Sequence, residues 1–172
     1  MNSHQYKSQV LTLSDKLFRL AKSILRHEEE AHDAVQELNL KLWEKRQSLD
    51  AVENLQAFTM QSMRNLCLDL LRKSKNIIEM PSEIEYDAPN PYQQTELNDT
   101  VNIIRVYISK LPELQRTIIQ MRDVEGMEIS EIAFITSLTE NAVSVNLSRA
   151  RQKVREQIQN EHQKIRTKIW TN

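Results

Sequence analysis

The chain has 172 residues, 40% of them hydrophobic but only 5% aromatic, with one glycine, four prolines and one cysteine. So little turn chemistry excludes a β-protein built on hairpins, and the lone Cys67 excludes both a disulfide framework and a cysteine-based metal site. The formal net charge of −1 excludes a uniformly basic nucleic-acid binder, but not one whose cations are gathered in one segment.

Three helical patterns fill the first 75 residues. The first spans about 5–26, with Val10, Leu13, Leu17, Leu20 and Ile24 at helical spacing. The second spans about 29–46, with Ala31, Ala34, Val35, Leu38 and Leu42 on one face; its acidic start, Glu28 to Glu30, suits the positive end of a helix dipole. A polar stretch at 47–54 has little periodicity. The third helix spans about 55–75 and turns basic at Arg72, Lys73 and Lys75. Cys67, between Leu66 and Leu68, reads as a small buried hydrophobe.

Between residues 76 and 95 the pattern collapses. Three of the four prolines lie there (Pro81, Pro89, Pro91), and residues 76–100 hold six acidic side chains and no basic one. That composition predicts an acidic flexible linker. Helical spacing then returns over about 96–110, 112–124, 128–135 and from Thr139 onward, with Pro112 at a first helical turn where its missing N–H costs nothing. Residues 142–172 carry seven basic and two acidic side chains, so the cations gather on the last helix. The predicted fold is all-α: two small helical domains, 1–75 and 96–172, joined by the linker 76–95.

The segment 111–155 is the most informative. Gly126, the only glycine, supplies the positive φ of a tight turn between one helix and a short one. A second break at 136–139 leads into the basic helix, with Thr139 as its N-cap and Glu140 near the positive dipole end. Helix, turn, short helix, turn and basic helix is the order of a helix-turn-helix DNA reader. Val143, Leu147 and Ala150 are its buried candidates. The exposed complement, Asn141, Ser144, Asn146, Ser148, Arg149 and Arg151, offers groups suited to base edges and phosphates. In the second helix, Asp33, Gln36, Glu37 and Lys41 share a polar face opposite the aliphatic one. In the third, Asn65, Asp69, Arg72 and Lys73 fall on neighbouring turns, beside Arg64.

Taken together these residues resemble a bacterial sigma factor of the sigma-70 family, in its compact extracytoplasmic-function group. Ala31, Asp33, Gln36, Glu37, Leu42 and Trp43 match that family's sigma-2 signature, and Arg64, Asn65, Asp69 and Arg72 match a later one. Leu111, Pro112, Arg116, Glu125, Gly126, Glu131, Ile132, Ala133, Val143 and the run Leu147, Ser148, Arg149, Ala150, Arg151 match its sigma-4 signature. The chain departs from the pattern at Asn39 and Phe58, where larger aromatics are usual, and at Glu128, where a Ser or Thr cap is usual. Ser144 and Asn146 stand where Lys and Arg are frequent, which weakens direct transfer of promoter contacts.

The resemblance implies a non-enzymatic initiation factor that binds core RNA polymerase and promoter DNA and needs no cofactor, metal or small-molecule substrate. It implies that Asp33, Gln36, Glu37 and Lys41 dock on the polymerase, and that Arg64, Asn65, Arg72 and Lys73 hold the single-stranded −10 element. It implies that Asn141, Ser144, Asn146, Ser148, Arg149 and Arg151 read the −35 element. Factors of this group are commonly held by an anti-sigma partner, although no residue here identifies one. With no signal-peptide pattern and no apolar run of about 20 residues, the expected site of action is the cytoplasm. Three other classes are weighed against this, one of them a purely helical interaction protein. A stand-alone helix-turn-helix regulator accounts for 96–155 but leaves the earlier signatures idle. An enzyme lacks support, since His4, His27, His32 and His162 are scattered and no phosphate loop or nucleophile–base pair occurs.

Overall fold

The computed structural model describes residues 1–77 and 96–170, with side chains over 1–74 and 101–160. All regular structure among the described residues is helical: α1 (Ser3–Gln9), α2 (Ser14–Leu25), α3 (Glu28–Glu44), α4 (Leu55–Ile77), α5 (Glu96–Ser109), α6 (Glu113–Ile119), α7 (Ile129–Thr136) and α8 (Glu140–Trp170). The acidic linker expected at 76–95 falls almost wholly outside them.

The first expected helix is broken in two. The Ser8 hydroxyl donates to the Gln5 carbonyl and the Thr12 hydroxyl to the Ser8 carbonyl. Such side-chain bonds compete with the helical ladder, and a short 3₁₀ turn at Leu11–Leu13 separates α1 from α2. Helices α2, α3 and α4 form the N-terminal bundle. Leu17, Leu20, Ala21 and Ile24 of α2, Ala31, Ala34, Leu38 and Leu42 of α3, and Ala57, Met60, Met63 and Cys67 of α4 are buried. The alanines let the helix axes approach, and each fully buried Leu or Ile contributes roughly 2 kcal/mol. The polar stretch before α4 makes one 3₁₀ turn, Ser48–Ala51, and tucks Leu49 into the core. Tyr6 of α1 is buried; its hydroxyl donates to the Asn39 carbonyl at 2.7 Å and its ring meets Trp43 edge-on at 5.0 Å.

The C-terminal bundle gathers α5, α6 and α7 around α8. Ile118, Ile119, Met121, Ile132, Ile135, Val143, Leu147, Ala150 and Val154 are buried there. The helix expected over 112–124 is α-helical only to Ile119; Gln120–Val124 forms a π turn that widens the chain before Gly126. Gly126 has φ +69° and closes that turn. With one glycine in the chain, two further left-handed positions among the described residues fall to other residues: Arg26, ending α2, and Ser137, ending α7.

The two bundles pack directly on one another. Helix α7 lies against α4, and α6 lies against α2. Among the described residues no helix is long and apolar enough to cross a membrane.

Candidate nucleic-acid and polymerase interfaces

Helix α8 is set in place by its own sequence. Thr139 Oγ accepts the Ala142 N–H at 3.1 Å, the cap that the sequence predicts. Val143, Leu147, Ala150 and Val154 recur at helical spacing and anchor one side in the core. Asn141, Ser144, Ser148 and Arg149 are left exposed on the first three turns, with Val145 among them. Two predicted residues are engaged at home. Asn146 is half-buried, and its amide donates to the Ala142 carbonyl one turn back at 2.8 Å. Arg151 makes a two-pronged pair with Asp123 of the π turn, and that hydrogen bond holds its guanidinium above the usual arginine value. Arg149, which has no such partner among the described residues, is an exposed cation of this face.

The preceding helix α7 has a carboxylate start. Glu128, at the N-cap, gives its N–H to Glu131 Oε2 at 3.0 Å. The acidic residue at the usual Ser or Thr position is therefore compatible with a well-formed helix start, because Glu131 reaches back to it. Phe134 remains 53% exposed.

On α4, Asn65, Arg72 and Lys73 are exposed and Arg64 is half-buried. Arg72 pairs with Asp69 at 3.2 Å, so Asp69 orients that guanidinium along the helix. Both groups are largely exposed and the pair is worth little in stability. Asn54, at the start of α4, accepts the Ala57 N–H on Oδ1 at 2.9 Å.

On α3, Asp33, Gln36, Glu37 and Lys41 are all exposed, and Lys41 pairs with Glu37 at 2.5 Å across one turn. A residue absent from the sequence prediction joins them. Leu40, three residues beyond Glu37 and four beyond Gln36, is 60% exposed. Only its exposure distinguishes it from the buried leucines of the same helix.

A chain whose described residues are all helical and that presents a helix-turn-helix, a second polar helix with clustered Asn and Arg, and a third charged helix face fits the class of DNA-reading transcription factors. The comparisons with known proteins narrow that class. Residues 10–77 match the family model for sigma-70 region 2, and residues 102–154 match that for sigma-70 region 4. The chain belongs to the sigma-70 family, as an extracytoplasmic-function sigma factor that directs RNA polymerase to promoters. It is 30% identical over 148 residues to the RNA polymerase sigma factor SigV of Bacillus subtilis, covering 84% of this chain and 85% of the relative. It is 25% identical over 156 residues to the ECF RNA polymerase sigma factor SigW of the same organism, covering 84% and 83%. Among solved structures, the sigma factor RpoE of Bartonella quintana, in complex with the anti-sigma factor NepR, shares the fold at a TM-score of 0.70 and 22% identity, over 90% of this chain and 96% of that one. CnrH, in complex with the cytosolic domain of CnrY, matches at 0.67 and 20% identity, over 92% and 90%. Matches to both regions, in order along one chain, set aside the stand-alone regulator.

Proposed function

We propose that the two bundles divide promoter recognition between them, with residues 1–75 binding core polymerase and the −10 element and residues 96–172 reading the −35 element. The observation that carries this reading is the separation of three polar faces, on α3, α4 and α8, each backed by its own buried apolar stripe. Asp33, Gln36, Glu37 and Lys41, with Leu40 at their centre, form the polymerase-docking face. A charged rim around one apolar side chain suits an interface that must later release. Arg64, Asn65, Arg72 and Lys73 hold the separated −10 strand, the cations on its backbone and the amide on a base edge. Asn141, Ser144, Ser148 and Arg149 reach the major groove at −35. Arg151 and Asn146, engaged with Asp123 and Ala142, act there chiefly by holding α8 in place.

The protein acts in the cytoplasm beside the polymerase and catalyses no reaction itself. A structural neighbour solved with an anti-sigma factor, and a second solved with a partner's cytosolic domain, support a protein partner of that kind for this chain as well. The acidic residues 76–95 fit a segment that follows a nucleic-acid path on the polymerase, where carboxylates resemble a phosphate backbone.

Run-off transcription with purified core polymerase on a pool of genomic fragments tests the whole reading. Promoter-specific transcripts should appear only when the chain and the core are both present. Arg149→Ala should reduce initiation at every promoter found, and Glu37→Lys should remove core binding in a pull-down. Transcripts that do not depend on the chain, or tight duplex binding without the core, would overturn it.

A further inference from the structure

The outward face of α8 holds one residue that hydrogen bonding to promoter DNA does not use. Val145 is 39% exposed. It stands two residues from Val143 and two from Leu147, both of them buried. At about 100° per residue, that spacing carries it roughly 200° round the helix from each, so it lies opposite the buried stripe. Asn141 and Arg149 lie one turn to either side on the same face, and both are exposed. Farther along, Gln152 is exposed too, with its amide donating to Glu156 Oε1 at 2.9 Å.

A single exposed valine on an ordinary surface needs no explanation. This one occupies the middle of the outward face of the helix that closes the region 4 match, among neighbours on that face that are polar. Local stability does not account for it, since valine is a poorer helix former than alanine and this valine is not part of the buried core. Branching at Cβ holds its two methyl groups in one strongly preferred helical rotamer, so an apolar contact here is preorganised. Two polar side chains nearby are already committed within the domain, Asn146 to the Ala142 carbonyl and Arg151 to Asp123. The major groove offers an apolar side chain one matching group at the base edges, the C5-methyl of thymine. The other edges present donors or acceptors that a valine would strip of water without replacing the bond.

We propose that Val145 reads a thymine methyl in the −35 element, between the contacts made by Asn141 and Arg149. This rests on the assignment of α8 to the −35 duplex. Val145 and Arg149 are about 6 Å apart along the helix axis, under two base-pair steps of about 3.4 Å. The thymine therefore lies within two base pairs of the contact of Arg149, on either strand. Cytosine at that position sets its N4 amino donor against the valine with no acceptor, which makes the choice of pyrimidine specific.

The test uses holoenzyme assembled from core polymerase and the full chain, on a promoter recovered by run-off transcription. Each thymine of its −35 element, on both strands, is replaced in turn by deoxyuridine, which lacks only the C5-methyl and keeps every hydrogen-bonding group. At limiting holoenzyme one replacement should lower open-complex formation about fourfold, the value of one buried methyl group, and the others should change it little. Val145→Ala should be weaker on the natural promoter and should lose that discrimination, giving equal yields with thymine and deoxyuridine at the sensitive position. Alanine is the better helix former on an exposed turn, so the variant should keep its fold, which circular dichroism checks. Arg149→Ala is the control: it should lower initiation but leave the deoxyuridine effect in place.

A −35 element without thymine, no deoxyuridine effect at any position, or an effect that survives Val145→Ala overturns the proposal. So does loss of core binding by Val145→Ala in a pull-down, which would place the valine at a protein interface. In each of these cases promoter-specific transcription by the wild type leaves the promoter reading of the chain intact. Absence of promoter-specific transcripts with the wild type removes that reading, and the proposal with it.

Discussion

Arg116 should be worth more to stability than any exposed cation in the chain. Its side chain is almost fully buried, and it donates to the Leu111 carbonyl at 2.8 Å, to the Ser23 carbonyl, and at 3.4 Å to the Ser109 carbonyl. Replacing it by Met keeps the aliphatic stem and removes the guanidinium. The Ser109 contact is long enough to count for nothing, which leaves two good charge-assisted bonds at about 1.5 kcal/mol each and a loss of about 3 kcal/mol. For a chain of this length about 3 °C is lost per kcal/mol, so thermal unfolding followed by circular dichroism should show a fall of about 9 °C. Arg116→Lys keeps the charge but cannot span both carbonyls, and should lose about half as much. Arg19→Ala should cost about 1–2 kcal/mol, less than Arg116→Met, because Arg19 is itself half exposed although it donates two bonds to a Glu125 carboxylate that is 1% exposed. A fall of less than about 2 °C for Arg116→Met would refute the claim that this arginine ties α6 to α2.

Other outcomes follow from single features. Gly126→Ala should cost about 1 kcal/mol, seen as a lower unfolding temperature; the φ of +69° is the whole cause, since a Cβ there would meet no atom within 4 Å. Ser137→Gly should stabilise the chain by about 0.5–1 kcal/mol in the same assay, because Ser137 is exposed and holds a left-handed φ of 57°. Burial pushes the Cys67 thiol up to about 12, so a thiol reagent at pH 8 should label it only after denaturation. Because this folded value is raised, the contribution of Cys67 to stability is present below the ordinary thiol value and is lost as pH rises from there to about 12. Asn146→Ala should change promoter preference less than Ser144→Ala does in run-off transcription, since its amide is held by Ala142.

Much of this protein is legible in the order of its residues because helices are local objects. Aliphatic spacing marks α3, α4 and α8 to within a few residues, and Gly126 and Thr139 announce a turn and a cap that need no distant partner to form. The family signatures are legible for the same reason: Asp33, Gln36 and Glu37 lie on one turn or the next, as do Arg64, Asn65, Asp69 and Arg72. The break within the first helix was in principle visible too, in the hydroxyls of Ser8 and Thr12, but a hydroxyl in a helix bends back only when no better partner is in reach.

What the tertiary structure alone decided lies between elements far apart in the chain. Arg116 and Arg151 both read as basic residues of a DNA-binding domain. Folding commits the first to buried carbonyls on two helices and the second to Asp123, whereas Arg149, two positions away from Arg151, stays on the exposed face. Leu40 has the same side chain as Leu38 and Leu42 and the opposite environment. Asn54, Gln61, Glu125 and Glu131 carry no sign in their sequence that they will bond across the junction of the two bundles, because a polar side chain specifies what it can bond and not which distant group will arrive. The amino-acid order determines the helices, their apolar stripes and the family; only the tertiary packing decides which polar side chains stay exposed and which, like Arg116 and Arg151, are committed to a partner.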